Sequence, residues 1–317
     1  KFSPNPTPTK DERNTMSIAV VNPATGDTVE TFNEHTAEEI EQRVQKAQAA
    51  FEALKATDYA QRAEWMKKAA DILESEVDEL AKMLTIEMGK PIAQSVAEVH
   101  KCAKNCRFYA DNAEKFLADE PLEDPSLVNA SQAYLRYQPL GVVLAVMPWN
   151  YPLWQVIRFA APALMAGNTG ILKHASNVPH SALYLDSLFT RAGYPEGSFT
   201  TILAGSAPVA GLIEDRRIKA VTLTGSEPAG RAVAGQAGAH IKPAVMELGG
   251  SDAFIVMPSA DIDQASTVAV TARINNNGQS CIAGKRFVVH EDVYDEFVEK
   301  FVAKMAALVV GDPMDEA

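Results

Sequence analysis

Residues 142–152 read VVLAVMPWNYP, an uninterrupted apolar run that ends at a turn bounded by two prolines. Such a run fits one buried strand and is too short for a buried helix, and similar runs recur further along the chain. Segments with helical spacing separate these runs. The alternation predicts an α/β fold with a doubly wound, mostly parallel sheet that binds ligands at the carboxyl ends of its strands. The predicted strands are 142–147, 170–173, 199–203 and 220–224, and the predicted intervening helices are 181–192 and 227–237.

The region before this sheet is predicted to be helical. The pairs Thr36 with Glu39 and Asp58 with Gln61 have the spacing of capping boxes, in which side chains satisfy free N–H groups at a helix start. Apolar residues at helical spacing extend the second helix without a break to the Gly-Lys-Pro sequence near residue 90. A third helix is predicted over 93–117.

Composition limits the classes of partner. The 317 residues are 47% hydrophobic and 22% charged, which suits a globular protein of two domains. Acidic residues outnumber basic residues by 41 to 29, and the net charge of -12 opposes nucleic-acid binding because that needs clustered Lys and Arg. No apolar stretch approaches the length of a membrane span, so no membrane partner is expected.

The three cysteines are too few for a disulfide framework, and their spacing matches no zinc site. A reducing, cytoplasmic location and the absence of a metal are therefore expected. Cys102 and Cys106 fall on the apolar stripe of the third helix, where two small core residues are favoured over a redox or metal pair.

Cys281 has a different setting. A second series of strand and helix is predicted to begin at 252–257, and its helix, from about residue 261, ends at the Asn-Asn-Gly sequence 276–278, where Gly278 can take the left-handed cap conformation. Cys281 then lies in a loop among small polar residues, where a thiol is accessible enough to act as a nucleophile. A lone loop cysteine is more often inert, so the hypothesis depends on partners.

Three other segments are candidates for those partners. Glu247 ends a strand before Leu-Gly-Gly, where a carboxylate acts as a base or caps a loop. Asn150 follows the strand 142–147, and its amide either donates to an oxyanion or belongs to a rigid turn. The segment 225–230, GSEPAG, follows a strand and opens a helix, but it matches neither common glycine-rich phosphate motif.

Together these segments resemble the aldehyde dehydrogenase superfamily. The resemblance rests on PWNYP, GNTGILK, LTGSEPAG, MELGG and NNGQSC in that order, and it covers the chain from about residue 20 to its end. It implies that Cys281 is the nucleophile and that Glu247 deprotonates the water that cleaves a thioester. It also implies that Asn150 and the Cys281 backbone amide hold the oxyanion.

The same resemblance implies a nicotinamide dinucleotide cofactor in a Rossmann-type domain. Lys173 matches a family lysine at the adenosine ribose, and Ser176 stands where NAD-preferring members often carry Glu. Because serine does not repel a 2′-phosphate, NADP is expected, with NAD as the alternative. His174, where proline is common, is expected to be a surface or supporting residue, as is His180. The residues expected to border the cofactor are Trp149, Lys173, Ser176, Gly225, Ser226 and Gly230.

For the substrate, the resemblance is strongest to members that oxidise succinate semialdehyde. Arg158 matches an arginine that binds the distal carboxylate, and Ser280 lies beside the nucleophile, where it can assist. The alternative for Arg158 is a solvated or ion-paired residue on an amphipathic helix. A second arginine of some members is Asn275 here, and Ala283 removes a C-x-C redox switch.

A domain plan follows from the resemblance. Residues 16–128 and 142–247 are expected to form the cofactor domain, 129–141 to begin an oligomerisation hairpin, and 248–317 to form the first part of an α/β catalytic domain. Residues 1–15 are expected to be a disordered extension. An E-x-F-G-P motif and a final strand of the family do not occur in these 317 residues, so the catalytic domain is expected to be incomplete here. Either the remainder lies outside this sequence or the chain is a fragment, and a fragment would be inactive.

The predicted function is the oxidation of succinate semialdehyde to succinate with NADP, through a thiohemiacetal and a thioester on Cys281, in a homodimer or homotetramer. One alternative is a dehydrogenase for another short aldehyde. Another is a catalytically silent family member or fragment with a binding or structural role. A cysteine hydrolase is disfavoured because the motifs place no histidine to pair with Cys281.

Overall fold

The computed structural model describes residues 18–315, and the predicted extension over residues 1–15 lies outside them. The strands are β1 Ile18–Val21, β2 Thr28–Phe32, β3 Glu120–Pro121, β4 Tyr134–Leu135, β5 Val142–Val146, β6 Thr169–Lys173, β7 Phe199–Ile202, β8 Ile218–Thr224, β9 Ala244–Glu247, β10 Ala253–Val256 and β11 Arg286–Val289. The α-helices are α1 Ala37–Leu54, α2 Tyr59–Ser75, α3 Val77–Met88, α4 Ile92–Phe116, α5 Trp154–Met165, α6 Pro179–Ala192, α7 Val209–Glu214, α8 Glu227–Ala239, α9 Ile262–Ile274 and α10 Tyr294–Ala306.

Strands β5 to β9 form one sheet in the order β7-β6-β5-β8-β9, and every neighbouring pair is parallel. One apolar cluster joins α2, α4, α5 and α6 to one face of this sheet, and another joins α1, α7 and α8 to the opposite face. The predicted doubly wound α/β fold is thereby confirmed. The strand order reverses between β5 and β8, so a ligand crevice is expected outside their carboxyl ends.

The N-terminal helices confirm one pattern and correct another. Thr36 and Glu39 form the complete capping box, and the Asp58 side chain accepts the Gln61 N–H at the start of α2. The prediction of an uninterrupted second helix is wrong, because the helix is interrupted at Glu76, between α2 and α3. The Glu76 carboxylate accepts hydrogen bonds from two side chains of α6. Apolar spacing continues across the break, so periodicity alone does not reveal it.

The turn between α3 and α4 contains a buried ion pair. Lys90 is fully buried and pairs with Glu98, which is 3% exposed, and the Lys90 ammonium lies 4.3 Å from the ring centre of Tyr151. Burial lowers the pKa of Lys90, and the Glu98 charge opposes that shift. Gly89 makes the turn possible, because its φ is 74° and a Cβ there would lie 2.7 Å from a side-chain carbon of Pro23.

The remaining elements form smaller units. Strands β10 and β11 pair in parallel and pack with α9 and α10 around a phenylalanine cluster, which confirms the strand and helix predicted after residue 252. Strands β3 and β4 form a short antiparallel pair. Within residues 18–315, none of the helices combines the length and apolar composition that a membrane span requires.

We expect Lys90→Met to lower the free energy of unfolding by about 3 to 5 kcal/mol, because it leaves the Glu98 carboxylate buried without a counter-charge. The double variant Lys90→Met/Glu98→Gln should recover most of this loss, because a neutral amide needs no cation. Urea unfolding followed by circular dichroism measures both. Equal loss in the single and double variants would contradict the expectation.

Candidate active site

The predicted site residues meet along the carboxyl edge of the five-stranded sheet. Lys173 ends β6, Asn150 follows β5, Gly225 follows β8 and Glu247 ends β9. Backbone hydrogen bonds join neighbouring strand ends, from the Met147 N–H to the Lys173 carbonyl and from the Gly225 N–H to the Glu247 carbonyl, each 3.0 Å long. The parallel topology therefore collects residues that are far apart in the sequence.

A cavity of about 300 Å³ lies at the middle of this edge. It brings together the predicted nucleophile Cys281, the predicted base Glu247 and the predicted oxyanion donor Asn150. Three predicted cofactor residues, Trp149, Gly225 and Ser226, line the same cavity. The other lining residues are Pro148, Gln155, Thr224, Leu248, Gly249 and Gln279.

The Cys281 loop is turned toward the sheet by a sharp reversal after α9. Asn276, Asn277 and Gly278 all have left-handed backbone conformations, with φ of 55°, 55° and 71°. Asparagine and glycine tolerate this region best, which explains why this sequence reverses here. The predicted left-handed conformation of Gly278 is confirmed. Cys281 is half-buried and its thiol is free.

Lys285 holds the Cys281 loop against the end of β9. Its ammonium donates to the Cys281 carbonyl at 2.6 Å and to the Gly250 carbonyl at 2.8 Å. No sequence motif singled out this lysine, although it lies only four residues after Cys281. Because one side chain binds both segments, the thiol and the Glu247 segment keep a fixed spacing.

Both the side chain and the backbone of Asn150 are hydrogen-bonded to the Cys281 loop. Its side-chain Nδ2 donates to the Gln279 carbonyl at 2.8 Å, and its backbone carbonyl accepts from Asn276 Nδ2 at 2.7 Å. A carboxamide carries two N–H groups, so one remains for an oxyanion beside Cys281.

Glu247 lies between the Cys281 cavity and a second one. Its side chain is 53% exposed, and its Oε2 lies 3.6 Å from Arg158 Nη1. Arg158 also donates to Thr224 Oγ1 at 3.2 Å. The second cavity, of about 510 Å³, is lined by Arg158 together with Gln155, Thr224 and Glu247, which it shares with the first. Arg158 therefore contacts the predicted base and does not line the cavity that contains Cys281.

Gln155 was missed in the sequence analysis. It is 4% exposed, and its Oε1 has no hydrogen-bond partner within residues 18–315. A polar residue inside an otherwise apolar stretch of α5 was the available signal. Because Gln155 lines both cavities, its amide is available to a ligand in either.

Ser280 is buried and does not line the nucleophile's cavity. Its Oγ accepts the Ile282 N–H at 3.4 Å. The structure therefore places the Ser280 hydroxyl within the Cys281 loop.

The start of α8 forms the part of the cavity that suits a phosphate. Ser226 caps this helix by accepting the Ala229 N–H at 3.5 Å, and a Cβ at Gly225 would meet only a side-chain carbon of Leu223, at 3.6 Å. The N-terminus of a helix favours an anion. Gly230 has a different role, because a Cβ there would lie 2.6 Å from Leu248, and Gly230 does not line the cavity. It allows Leu248 to pack against α8.

Lys173 and Ser176 lie beyond the cavity, at the end of β6. Burial lowers the pKa of Lys173, and the negative charge of Glu34 opposes this shift. Ser176 is half-buried, and its carbonyl accepts the Ala19 N–H at 3.1 Å. The two residues form a separate, partly cationic part of the same sheet edge.

His174 connects the loops that follow β5 and β6. It is 3% exposed, its Nε2 donates to the Pro152 carbonyl at 2.9 Å, and its Nδ1 accepts the Ala175 N–H at 2.9 Å. Burial lowers its pKa to about 4, so the ring is neutral. His174 is therefore a supporting residue and not a surface one, whereas His180 is half-exposed and binds Glu30 at 2.8 Å.

Comparison with known proteins gives consistent results. The model of the aldehyde dehydrogenase family matches residues 9–317. The chain is 60% identical over 300 residues to succinate-semialdehyde dehydrogenase (NADP(+)) 1 of Mycobacterium tuberculosis, covering 95% of this chain and 65% of that protein. It is 61% identical over 303 residues to succinate-semialdehyde dehydrogenase (NADP(+)) of Mycobacterium avium, covering 95% and 64%.

Among solved structures, succinic semialdehyde dehydrogenase from Streptococcus pyogenes in complex with NADP+ has a TM-score of 0.90 at 36% identity. The match covers 94% of this chain and 65% of that chain. The chain thus spans about 65% of the length of the relatives that it matches.

We expect acid to destabilise the parent protein more than the variant His174→Gln. An unfolded histidine ionises near 6.5, whereas folded His174 stays neutral down to a pKa of about 4. Between these values the unfolded state binds more protons, so stability is retained above pH 6.5 and falls as the pH drops toward 4, by up to about 3 kcal/mol.

Urea midpoints measured across this pH range test the expectation, and His240→Gln, at an exposed histidine, is the matched control. A decline of equal size in the parent and in His174→Gln would contradict it.

Proposed function

The chain belongs to the aldehyde dehydrogenase family, and from this premise we propose that the protein oxidises an aldehyde through a thioester on Cys281. The observation that carries the proposal is the single cavity that Cys281, Glu247 and Asn150 line together. The relatives are named for succinate semialdehyde and NADP, which supports succinate semialdehyde as the substrate and NADP as the cofactor.

Cys281 begins the reaction as a thiolate. Its sulfur forms a bond to the aldehyde carbon, and the carbonyl electron pair moves to the oxygen. The Asn150 side chain and the Cys281 backbone N–H donate to this oxyanion. Because Asn150 is already fixed to the Gln279 carbonyl, little reorganisation is needed at the moment of reaction.

NADP, when bound, supplies the hydride acceptor that converts the thiohemiacetal to a thioester. The residues fit such a cofactor: Gly225 and Ser226 open the N-terminus of α8 to a pyrophosphate, and Trp149 lines the same cavity. Lys173 adds a positive charge near Ser176, which adds no negative one. We assign Gly230 an indirect role, through the packing of Leu248.

Glu247 completes the reaction as a base. It removes a proton from the water that attacks the thioester, and the carbon–sulfur bond breaks to return the Cys281 thiolate. Its contact with Arg158 must then be exchanged for one with water near Cys281. A side chain that is 53% exposed is free to make this movement.

We propose succinate semialdehyde as the substrate, with Arg158 as the group that binds its distal carboxylate. In the unliganded chain this guanidinium contacts the Glu247 carboxylate. A substrate carboxylate would replace Glu247 at a position that already binds a carboxylate. Ser280 would assist indirectly, through the conformation of the Cys281 loop, where its Oγ accepts the Ile282 N–H.

The proposal extends to the organisation of the protein. Residues 18–128 and 142–247 would form the cofactor domain, residues 129–141 the start of an oligomerisation hairpin, and residues 248–315 the first part of the catalytic domain. The assembly would be a homodimer or homotetramer in the cytoplasm. The β3–β4 pair, which carries exposed Tyr134 and Leu135, supports the hairpin assignment.

The test measures NADPH formation by the protein expressed from its complete reading frame. We expect oxidation of succinate semialdehyde to exceed that of butyraldehyde, a neutral aldehyde of equal length, in kcat/KM. Cys281→Ala should abolish turnover of both and retain NADP binding, because it removes only the atom that forms the covalent bond. Near-normal turnover by this variant would refute the mechanism.

Arg158→Leu in the same assay tests the substrate assignment. It should lower kcat/KM for succinate semialdehyde by roughly thirtyfold, or about 2 kcal/mol, and leave butyraldehyde within about threefold. Equal losses for both aldehydes, or no loss for either, would remove Arg158 from carboxylate binding.

Ser176→Glu tests the cofactor assignment. The added carboxylate should repel the 2′-phosphate of NADP, which carries about -1.5 to -2 charges, and it can accept hydrogen bonds from the free ribose hydroxyls of NAD. We expect the ratio of kcat/KM with NAD to kcat/KM with NADP to rise roughly ten- to a hundredfold. A parent that already prefers NAD, or an unchanged ratio in the variant, would show that Ser176 does not face the 2′ position.

A further inference from the structure

The two helices that follow the site loops begin without caps of their own. Helix α5 starts after the loop that carries Asn150, and α6 starts after the loop that carries Ser176. The N-cap positions are occupied by Leu153 and Val178, which have no side-chain acceptor. The free N–H groups at both starts must therefore be satisfied from elsewhere in the fold.

Glu98 of α4 caps α5 from outside. One carboxylate oxygen accepts the N–H groups of Leu153 and Trp154, each at 2.9 Å, and the other pairs with Lys90. Glu98 is separated from these amides by more than fifty residues of chain. The buried ammonium of Lys90 holds the carboxylate in place.

Glu87 of α3 caps α6 in the same manner. It accepts the His180 N–H at 2.6 Å, the Ser181 N–H at 3.2 Å and the Ser181 hydroxyl. It is 2% exposed, and within residues 18–315 no lysine or arginine forms an ion pair with it. Its hydrogen-bond donors in the described part of the chain all lie at the start of α6.

We infer that the hairpin of α3 and α4 positions the two site loops separately, Glu98 the Asn150 loop and Glu87 the Ser176 loop. The inference rests on the proposed function, because it assigns a reaction step to one loop and cofactor binding to the other. Both glutamates are positioning residues, since they contact helix starts and neither lines the cavity.

The consequence for the reaction differs between the loops. Asn150 must hold its amide within hydrogen-bond distance of the oxyanion, and a misplacement of about 1 Å can cost roughly a hundredfold in rate. Ser176 lies on the other loop, Lys173 ends the strand before that loop, and neither lines the cavity that contains Cys281. His174 joins the loops through Pro152, so small cross-effects are expected.

Matched pairs of variants distinguish the effect of the hydrogen-bond acceptor from the effect of the carboxylate charge. Lys90→Met/Glu98→Gln keeps a neutral acceptor for the α5 amides, and Lys90→Met/Glu98→Leu removes it. Glu87→Gln and Glu87→Leu make the same comparison at α6. Both leucine variants place an apolar group of similar size in a buried position, which limits the general loss of stability.

Two readouts are measured on the protein from the complete reading frame: kcat at saturating substrates, and the Kd for NADP from equilibrium fluorescence. Relative to its glutamine partner, the Glu98→Leu chain should lose roughly ten- to a hundredfold in kcat and keep Kd within about threefold. The Glu87→Leu chain should raise Kd roughly tenfold and keep kcat within about threefold.

Parallel changes in both readouts, or no change in either, would overturn the inference. If the leucine variants do not fold, Glu98→Asp and Glu87→Asp replace them, because they keep a carboxyl group and withdraw it by one methylene, and the same split is expected. An inactive parent that binds NADP would contradict the proposed function and leave Kd to decide the role of Glu87. An active parent without the split would contradict only the inference.

Discussion

The parallel direction of β5, β6, β8 and β9 is the constraint on which the site depends. Parallel strands end at one edge, so the residues that follow each strand become neighbours whatever their separation in the chain. Asn150, Lys173, Gly225 and Glu247 reach that edge in this way. Cys281, the proposed nucleophile, lies beyond this sheet, and Lys285 joins its loop to Gly250 in the segment that follows β9.

Two buried carboxylates bind the starts of the helices that follow the site loops. Glu98 and Glu87 are removed from water, which is costly unless each carboxylate is fully hydrogen-bonded. Helix starts offer such donors, and each carboxylate in turn fixes the helix that it caps. Lys90 forms an ion pair with Glu98, whereas within residues 18–315 no lysine or arginine pairs with Glu87, and burial raises the pKa of Glu87 to about 7. The two caps therefore have the same geometry and different electrostatics.

The contact between Arg158 and Glu247 joins the two cavities of the sheet edge. Glu247, the proposed base, and the carboxylate of the proposed substrate would compete for the same guanidinium of Arg158. Gln155 lines both cavities, and its carbonyl oxygen has no hydrogen-bond partner within residues 18–315. The proposed carboxylate-binding residue and the proposed base are therefore in contact at the boundary between the two cavities.

From the sequence alone, the strand and helix order, the capping box at Thr36, the left-handed Gly278 and the motif residues of the cavity could be predicted. These depend on chain geometry over a few neighbouring residues or on a motif that keeps its order. The break at Glu76, the external caps and the position of Arg158 beside Glu247 were decided only by the tertiary structure. Each joins residues distant in the chain, and packing decides which donor meets which acceptor, because a sequence pattern records spacing along the chain and not distance across it.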